Sequence, residues 1–94
     1  MHFIVRFQPR AGRDSEFREQ LLRVVAASRA EPGCLSIHAF ESFGEPAAFA
    51  IHSEWVDEAA FERHAHLPHT VRFVEAANEL LTHSIEGFRS TLIA

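Results

Sequence analysis

The sequence lacks several residues on which whole classes of protein depend. Cys34 is the only cysteine among 94 residues, so no disulfide can form within the chain. A reducing compartment is the simplest home for such a chain, and we expect a cytoplasmic protein. Tyrosine is absent, which excludes a tyrosine acid, base or hydrogen-bond donor from any reaction that the chain performs.

Lysine is also absent, and the nine basic residues are arginines scattered from Arg6 to Arg89. The formal net charge is −4, whereas a phosphate backbone calls for clustered positive charge, so we expect no nucleic-acid partner. No apolar run approaches the roughly 18 residues that a membrane-spanning helix needs. Because polar residues follow Met1 almost at once, no secretion signal is expected either.

What the sequence does contain is a regular series of strand and helix patterns. Four stretches alternate apolar and polar residues with the period of a β-strand, namely residues 2–8, 34–43, 47–56 and 83–93. The second and third are separated only by Gly44-Glu45-Pro46, a break that is typical of a β-hairpin. Two helical regions lie between these strands.

The first helical region covers residues 16–30, with Asp14 or Ser15 as the expected N-cap. One stripe of it is predicted to be buried: Phe17, Leu21, Val24, Val25 and Ser28. The second region starts after Asp57, its expected N-cap, and runs to Leu81 with a break at Pro68. The order βαββαβ predicts a single α+β domain over residues 1–94. Its fold would be ferredoxin-like, a four-stranded antiparallel sheet with the helices on one face.

The hairpin also predicts which side chains share the uncovered face of the sheet. With the loop centred on Glu45, three cross-strand pairs lie there: His38 with His52, Phe40 with Ala50, and Ser36 with Glu54. The opposite, core-facing side carries Leu35, Ile37, Ala39, Phe49, Ile51 and Trp55. Aromatic rings on the uncovered face are too apolar to leave in water in so small a domain, which predicts a homodimer.

Two runs of residues resemble the antibiotic biosynthesis monooxygenase family. Residues 31–38, EPGCLSIH, are similar to the EPGCL start of that family's second strand. The series Glu54, Trp55, Ala60, His64, Pro68-His69 and Phe73 resembles its E-x-W…A-x-x-x-H-x-x-x-x-H-x-x-x-F signature, although Glu and Trp are adjacent here. The resemblance implies a dimeric α+β barrel. In many members it also implies oxidation of quinols or polycyclic phenols by dioxygen without metal, flavin or haem.

Haem-degrading relatives depend on an asparagine in their first strand. The only asparagine here is Asn78, in the second helical region, so neither haem nor iron is expected as a cofactor. The leading hypothesis is a cofactor-independent monooxygenase that acts on a quinol or other electron-rich aromatic. Two alternatives stay open: a non-catalytic small-molecule-binding or structural dimer, and an isomerase that uses the same histidines.

His64 is the first candidate for a catalytic base, because oxygenation without a cofactor requires a phenol to lose its proton and an imidazole suits that step. His38 and His52 are the next candidates. With Glu54 they also make up a two-histidine, one-carboxylate set, but their spacing does not establish a metal site. The residues expected to bind the substrate are Trp55, Phe40, Glu54, His69 and Phe73. Trp55 offers a flat apolar surface for a planar ring, or else serves only as a core residue.

Overall fold

The computed structural model describes all 94 residues. Its elements are β1 (His2–Phe7), α1 (Asp14–Ser28), β2 (Cys34–Glu41), β3 (Phe49–Trp55), α2 (Glu58–His66), α3 (Pro68–Leu80) and β4 (Gly87–Ser90). The strands form one antiparallel sheet in the order β2-β3-β1-β4. The predicted ferredoxin-like α+β fold is therefore confirmed. None of the helices combines the length and apolar character that crossing a membrane requires.

The core lies between one face of the sheet and the helices α1 and α3. The buried residues of α1 are the five of the predicted stripe. Phe17 is at the centre, with ring centroids 5.1 Å from Phe7, 5.3 Å from Phe49 and 5.9 Å from Phe73. Burying a phenylalanine side chain stabilises a fold by about 1.5–3 kcal/mol, so this aromatic cluster is a principal contact between the two layers.

The two predicted N-caps had different outcomes. Asp57 is confirmed, since its Oδ1 accepts a hydrogen bond from the Ala60 N–H at 2.8 Å. The prediction of Asp14 or Ser15 was wrong, because α1 begins at Asp14 and Arg13 occupies the N-cap without a side-chain hydrogen bond. The Asp14 carboxylate thus lies within the first turn, where the helix dipole favours a negative charge without a capping bond.

The register of the β2–β3 hairpin is the predicted one, including the pairs His38 with His52 and Phe40 with Ala50. The expectation that Leu35 faces the core was wrong. A bulge between Cys34 and Ser36 turns Leu35 outward, where it is 60% exposed, while Cys34 packs against the core. A bulge changes the face to which the following side chains point, and the alternation of residues does not reveal where it falls.

Strand β4 is shorter than predicted, four residues instead of eleven. Its last residue, Ser90, pairs with His2. The chain beyond Ser90 has no strand partner, and Met1 hydrogen-bonds to Trp55 of β3, on the other side of β1. The apolar residues Leu92 and Ile93 accordingly lie exposed, outside the sheet.

Candidate functional site

Two imidazoles and one carboxylate meet on the helix-covered side of the molecule. Oε2 of Glu31 lies 2.7 Å from Nδ1 of His64 and 2.7 Å from Nε2 of His69. The hydroxyl of Thr70 is 3.3 Å from the same His64 nitrogen. The three side chains are only 8%, 12% and 21% exposed for Glu31, His64 and His69, so their interaction is screened little by solvent.

The break between α2 and α3 brings the two histidines together. His64 lies in the last turn of α2 and His69 in the first turn of α3. Leu67, between the helices, is extended (φ −73°, ψ 149°), and Pro68 occupies the first turn of α3, where its missing N–H costs nothing. The resulting turn leaves the two ring centroids 6.1 Å apart.

Glu31 reaches the histidines because the turn after α1 packs against α2. Gly33 in this turn has φ +89°, and a Cβ there would lie 2.8 Å from the Cβ of Ala60 and 3.1 Å from a methyl of Val56. Only glycine permits both this conformation and this approach. The Val56 N–H then donates to the Gly33 carbonyl at 2.8 Å, which fixes the turn against the start of α2.

The hydrogen bonds define the tautomer of His64. An ionised carboxylate only accepts hydrogen bonds, so His64 donates its Nδ1–H and His69 donates its Nε2–H to Glu31. In the neutral ring, Nε2 of His64 then carries the free lone pair, and it has no hydrogen-bond partner in the protein. The indole of Trp55 packs against the same imidazole, with ring centroids 4.5 Å apart.

A cavity of about 190 Å³ adjoins His64 between the sheet and the helices. Eleven of its fifteen lining residues are hydrophobic, and Phe73 is among them. The polar ones are His64, Ser28, Ser53 and Thr70. An apolar pocket with a few placed polar groups is the usual character of a small-molecule site.

The same three side chains are the one group in the chain that could hold a metal ion. The ligand atoms of Glu31, His64 and His69 all lie within 4.8 Å of one another. Two histidines and a carboxylate are the donor set typical of non-haem iron. The set considered from the sequence, His38 with His52 and Glu54, is not brought together in this way.

The eight residues singled out from the sequence fall on two faces of the sheet. His64, His69, Phe73 and Trp55 belong to the helix-covered side, although Trp55 is only 1% exposed and does not line the cavity. His38, His52, Glu54 and Phe40 lie on the opposite face, which we call the outer face. None of these four lines the cavity.

On the outer face, His52 stacks on His2. Their ring centroids are 5.0 Å apart with the planes 7° from parallel, and Nδ1 of His2 lies 2.8 Å from Nε2 of His52. Three large apolar side chains share this face: Ile4 (39% exposed), Phe40 (56%) and Phe88 (59%). The outer face thus combines titratable rings with an unburied apolar surface.

Three residues of the helix-covered side were missed by sequence reasoning: Glu31, Ser28 and Thr70. Glu31 is part of the EPG turn, which the sequence interprets only as a helix stop and a family motif. The signal for Glu31 that the sequence did offer was an acidic residue next to the Pro32-Gly33 pair. Ser28 had been placed correctly on the buried stripe, but nothing in the sequence connects it with a cavity.

Comparisons with known proteins indicate the same family that the sequence motifs resemble. The family model described as antibiotic biosynthesis monooxygenase matches residues 1–76. A Bacillus subtilis (strain 168) protein, "Putative monooxygenase YcnE", is 35% identical over 77 residues, which cover 82% of this chain and 81% of that protein. The crystal structure of PA3566 from Pseudomonas aeruginosa superposes with a TM-score of 0.89 at 28% identity, covering 99% of this chain and 93% of that one. The structure of Rv0793 from Mycobacterium tuberculosis gives 0.89 at 26% identity, with 99% and 95% coverage.

Proposed function

We propose, from the premise that this chain belongs to the antibiotic biosynthesis monooxygenase family, that it oxidises a quinol or another electron-rich aromatic with dioxygen. In this proposal His64 is the base, and no metal, flavin or haem takes part. The observation that carries it is the hydrogen bond from Nδ1 of His64 to the buried Glu31 carboxylate, at the edge of an apolar cavity.

The chemistry starts with a proton transfer. Nε2 of the neutral His64 takes the proton of a phenol bound in the cavity, and the Glu31 carboxylate stabilises the imidazolium that forms. The phenolate is the better electron donor and reduces dioxygen. One oxygen atom then bonds to a ring carbon and the other leaves as water, with the electrons supplied by the substrate, which ends as a quinone.

His69 has a supporting part in the proposal. It donates to the same Glu31 oxygen as His64, so the carboxylate is held from two sides and cannot rotate away from His64. Phe73 and the other apolar side chains of the lining provide the surface for the ring of the substrate. His38 and His52 have no contact with this cavity, so we assign them to another role.

That other role is packing between two copies of the chain. The outer face exposes Ile4, Phe40 and Phe88 beside the His2–His52 stack, and a second copy covers this apolar surface in a homodimer. A stable interface buries about 800 Å² from each partner. The outer face of the four-stranded sheet is the one broad surface of the molecule that no helix covers.

A second candidate function is favoured by one observation, the convergence of Glu31, His64 and His69. If these side chains bind ferrous iron, the metal rather than a base activates the reaction with dioxygen. The two mechanisms exclude each other, because Nδ1 of His64 cannot both bind a metal and donate a proton to Glu31.

Oxygen uptake tests the proposal. The purified protein should consume dioxygen with a panel of quinols and phenols and should insert one atom of ¹⁸O₂ into the product. Activity should survive a chelator, whereas loss of activity together with a stoichiometric metal would establish the iron mechanism. Turnover without oxygen would instead indicate an isomerase, and ligand binding without turnover a non-catalytic binding protein.

A further inference from the structure

The cavity contains one polar atom that the protein leaves without a partner. Ser28, in the last turn of α1, is fully buried, and its Oγ is the only buried side-chain nitrogen or oxygen with no hydrogen bond. Ser28 also lines the cavity beside His64. Leaving a buried hydroxyl unsatisfied costs stability, so such a group in a native fold calls for a partner from outside the chain.

The other two hydroxyls of the cavity already have partners. Ser53 accepts a hydrogen bond from the Trp55 indole at 3.0 Å, and Thr70 lies 3.3 Å from His64. The Ser28 hydroxyl keeps one donor and its acceptor capacity free. Together with Nε2 of His64 it makes two polar points without a partner in the protein, in a lining where eleven of the fifteen residues are hydrophobic.

The volume of the cavity limits what can occupy it. An engineered apolar cavity of about 150 Å³ accommodates benzene. The cavity here, about 190 Å³, is of the size that one aromatic ring with small polar substituents fills, and three or four fused rings would extend beyond it.

Resting on the proposed role of His64, we infer that Ser28 is a specificity-determining residue for a single-ring substrate with two oxygen functions. One hydroxyl of a dihydroxybenzene gives its proton to His64, and the second exchanges a hydrogen bond with the Ser28 hydroxyl. The two side chains come from different helices, α1 and α2, so the ring is held between them. Polycyclic phenols are excluded by size.

Calorimetric titration under anaerobic conditions tests this inference apart from any turnover. The wild-type protein should bind hydroquinone roughly tenfold more tightly than phenol, the usual worth of one additional hydrogen bond. The Ser28→Ala variant should bind both with equal affinity, and its melting temperature should be no lower than that of the wild type, because an unsatisfied hydroxyl has been removed. A dihydroxyanthracene should not bind either protein.

Ser53→Ala is the matched control. It removes a hydroxyl from the same cavity, but one that is already hydrogen-bonded to Trp55, so it should lower the melting temperature and keep the preference for hydroquinone. If Ser28→Ala does not fold, Ser28→Cys keeps the size of the side chain with a much weaker donor, and the preference should fall in the same way.

Two results would overturn the inference. The first is an undiminished preference for hydroquinone in the Ser28 variants, which would leave a buried water as the partner of Ser28. The second is tight binding of the three-ring phenol. A failure of the oxygenase proposal has a different signature. Binding that depends on Ser28 without any oxygen uptake would retain this inference and remove the monooxygenase. Oxygen uptake together with a preference for hydroquinone that does not depend on Ser28 would retain the monooxygenase and remove this inference.

Discussion

Each face of the sheet has its own pair of imidazoles, and the two pairs differ in what surrounds them. On the helix-covered side, His64 and His69 share the buried Glu31 carboxylate next to an apolar cavity. On the outer face, His2 and His52 hydrogen-bond to each other, with no carboxylate between them. The residue type is the same, but only the first pair has a counter-charge and an adjacent space for a ligand.

The difference has an electrostatic consequence. On the helix-covered side, the Glu31 carboxylate lies 2.7 Å from Nδ1 of His64 and provides a counter-charge for the imidazolium that the proposed reaction would form. No such counter-charge lies between the stacked His2 and His52 rings, whose centroids are 5.0 Å apart. Histidine content alone therefore says little about function, and the partner of the imidazole decides what the ring can do.

The largest effect should come from removing the proposed base. His64→Ala should lower kcat/KM by roughly 10²–10⁴-fold, the usual worth of a general base, and leave the oligomeric state unchanged. His64→Gln should be almost as inactive, since an amide cannot take a proton. In the wild type, kcat/KM should rise with pH as the imidazole loses its proton, because only the neutral ring can act.

The control for this comparison is His52→Ala on the outer face, which should keep its turnover rate when assayed as the same oligomer. A substrate series of decreasing phenol pKa should also show a shrinking defect in His64→Ala, because a more acidic phenol needs the base less. A folded His64→Ala protein with near-wild-type turnover would contradict the role of His64 as the base.

A somewhat smaller effect is expected from Glu31→Gln. The amide of this variant cannot stabilise an imidazolium. It can also present its NH₂ group to His64, so the wrong tautomer of the His64 ring becomes populated. A comparable change in a serine protease triad costs about 10⁴-fold in kcat. We expect a loss in kcat that does not exceed the loss in His64→Ala, with KM nearly unchanged. Partial rescue by Glu31→Asp would support positioning, and steady-state kinetics at several pH values would measure it.

On the outer face the expected effect is on assembly rather than on rate. Phe88→Glu should convert the proposed dimer into a monomer of 10.6 kDa in light scattering, because a charge would be buried in the proposed interface. Leu22→Glu is the matched control, since Leu22 is equally exposed (58% against 59% for Phe88) but lies on α1, away from the sheet. A wild-type protein that is already monomeric at micromolar concentration would remove the dimer from the proposal.

The smallest effect concerns Cys34, which adjoins the helix-covered site. Burial, and then the negative charge of Glu31, raise the pKa of the Cys34 thiol. A raised pKa leaves less thiolate at any given pH, so iodoacetamide should alkylate the folded protein more slowly than the urea-unfolded chain. Glu31→Gln should accelerate the reaction slightly. Equal rates in the folded and unfolded states would show that Cys34 is freely accessible.

The order of the elements, the buried stripe of α1, the Asp57 cap and the hairpin register could all be predicted from the sequence. Each is encoded locally, in a period of two or 3.6 residues, a capping side chain or a short turn. His64 and His69 were found on either side of the Pro68 break for the same reason, together with the family resemblance. The residues that fill one face of a strand follow from its period as long as no bulge intervenes, and at Leu35 one does.

What only the tertiary structure decided is which of these residues meet. Glu31 lies 33 residues before His64 in sequence, and their contact depends on the turn at Gly33 packing against Ala60 and Val56. No local period records such an approach, because it is determined by the volumes of side chains from distant elements. The same holds for the cavity, which is the space left where the α1, α2 and α3 side chains fail to fill the sheet face. The sequence by itself therefore determined the layers and the candidate histidines, and packing alone separated the pair beside a ligand-sized space from the pair on the open sheet.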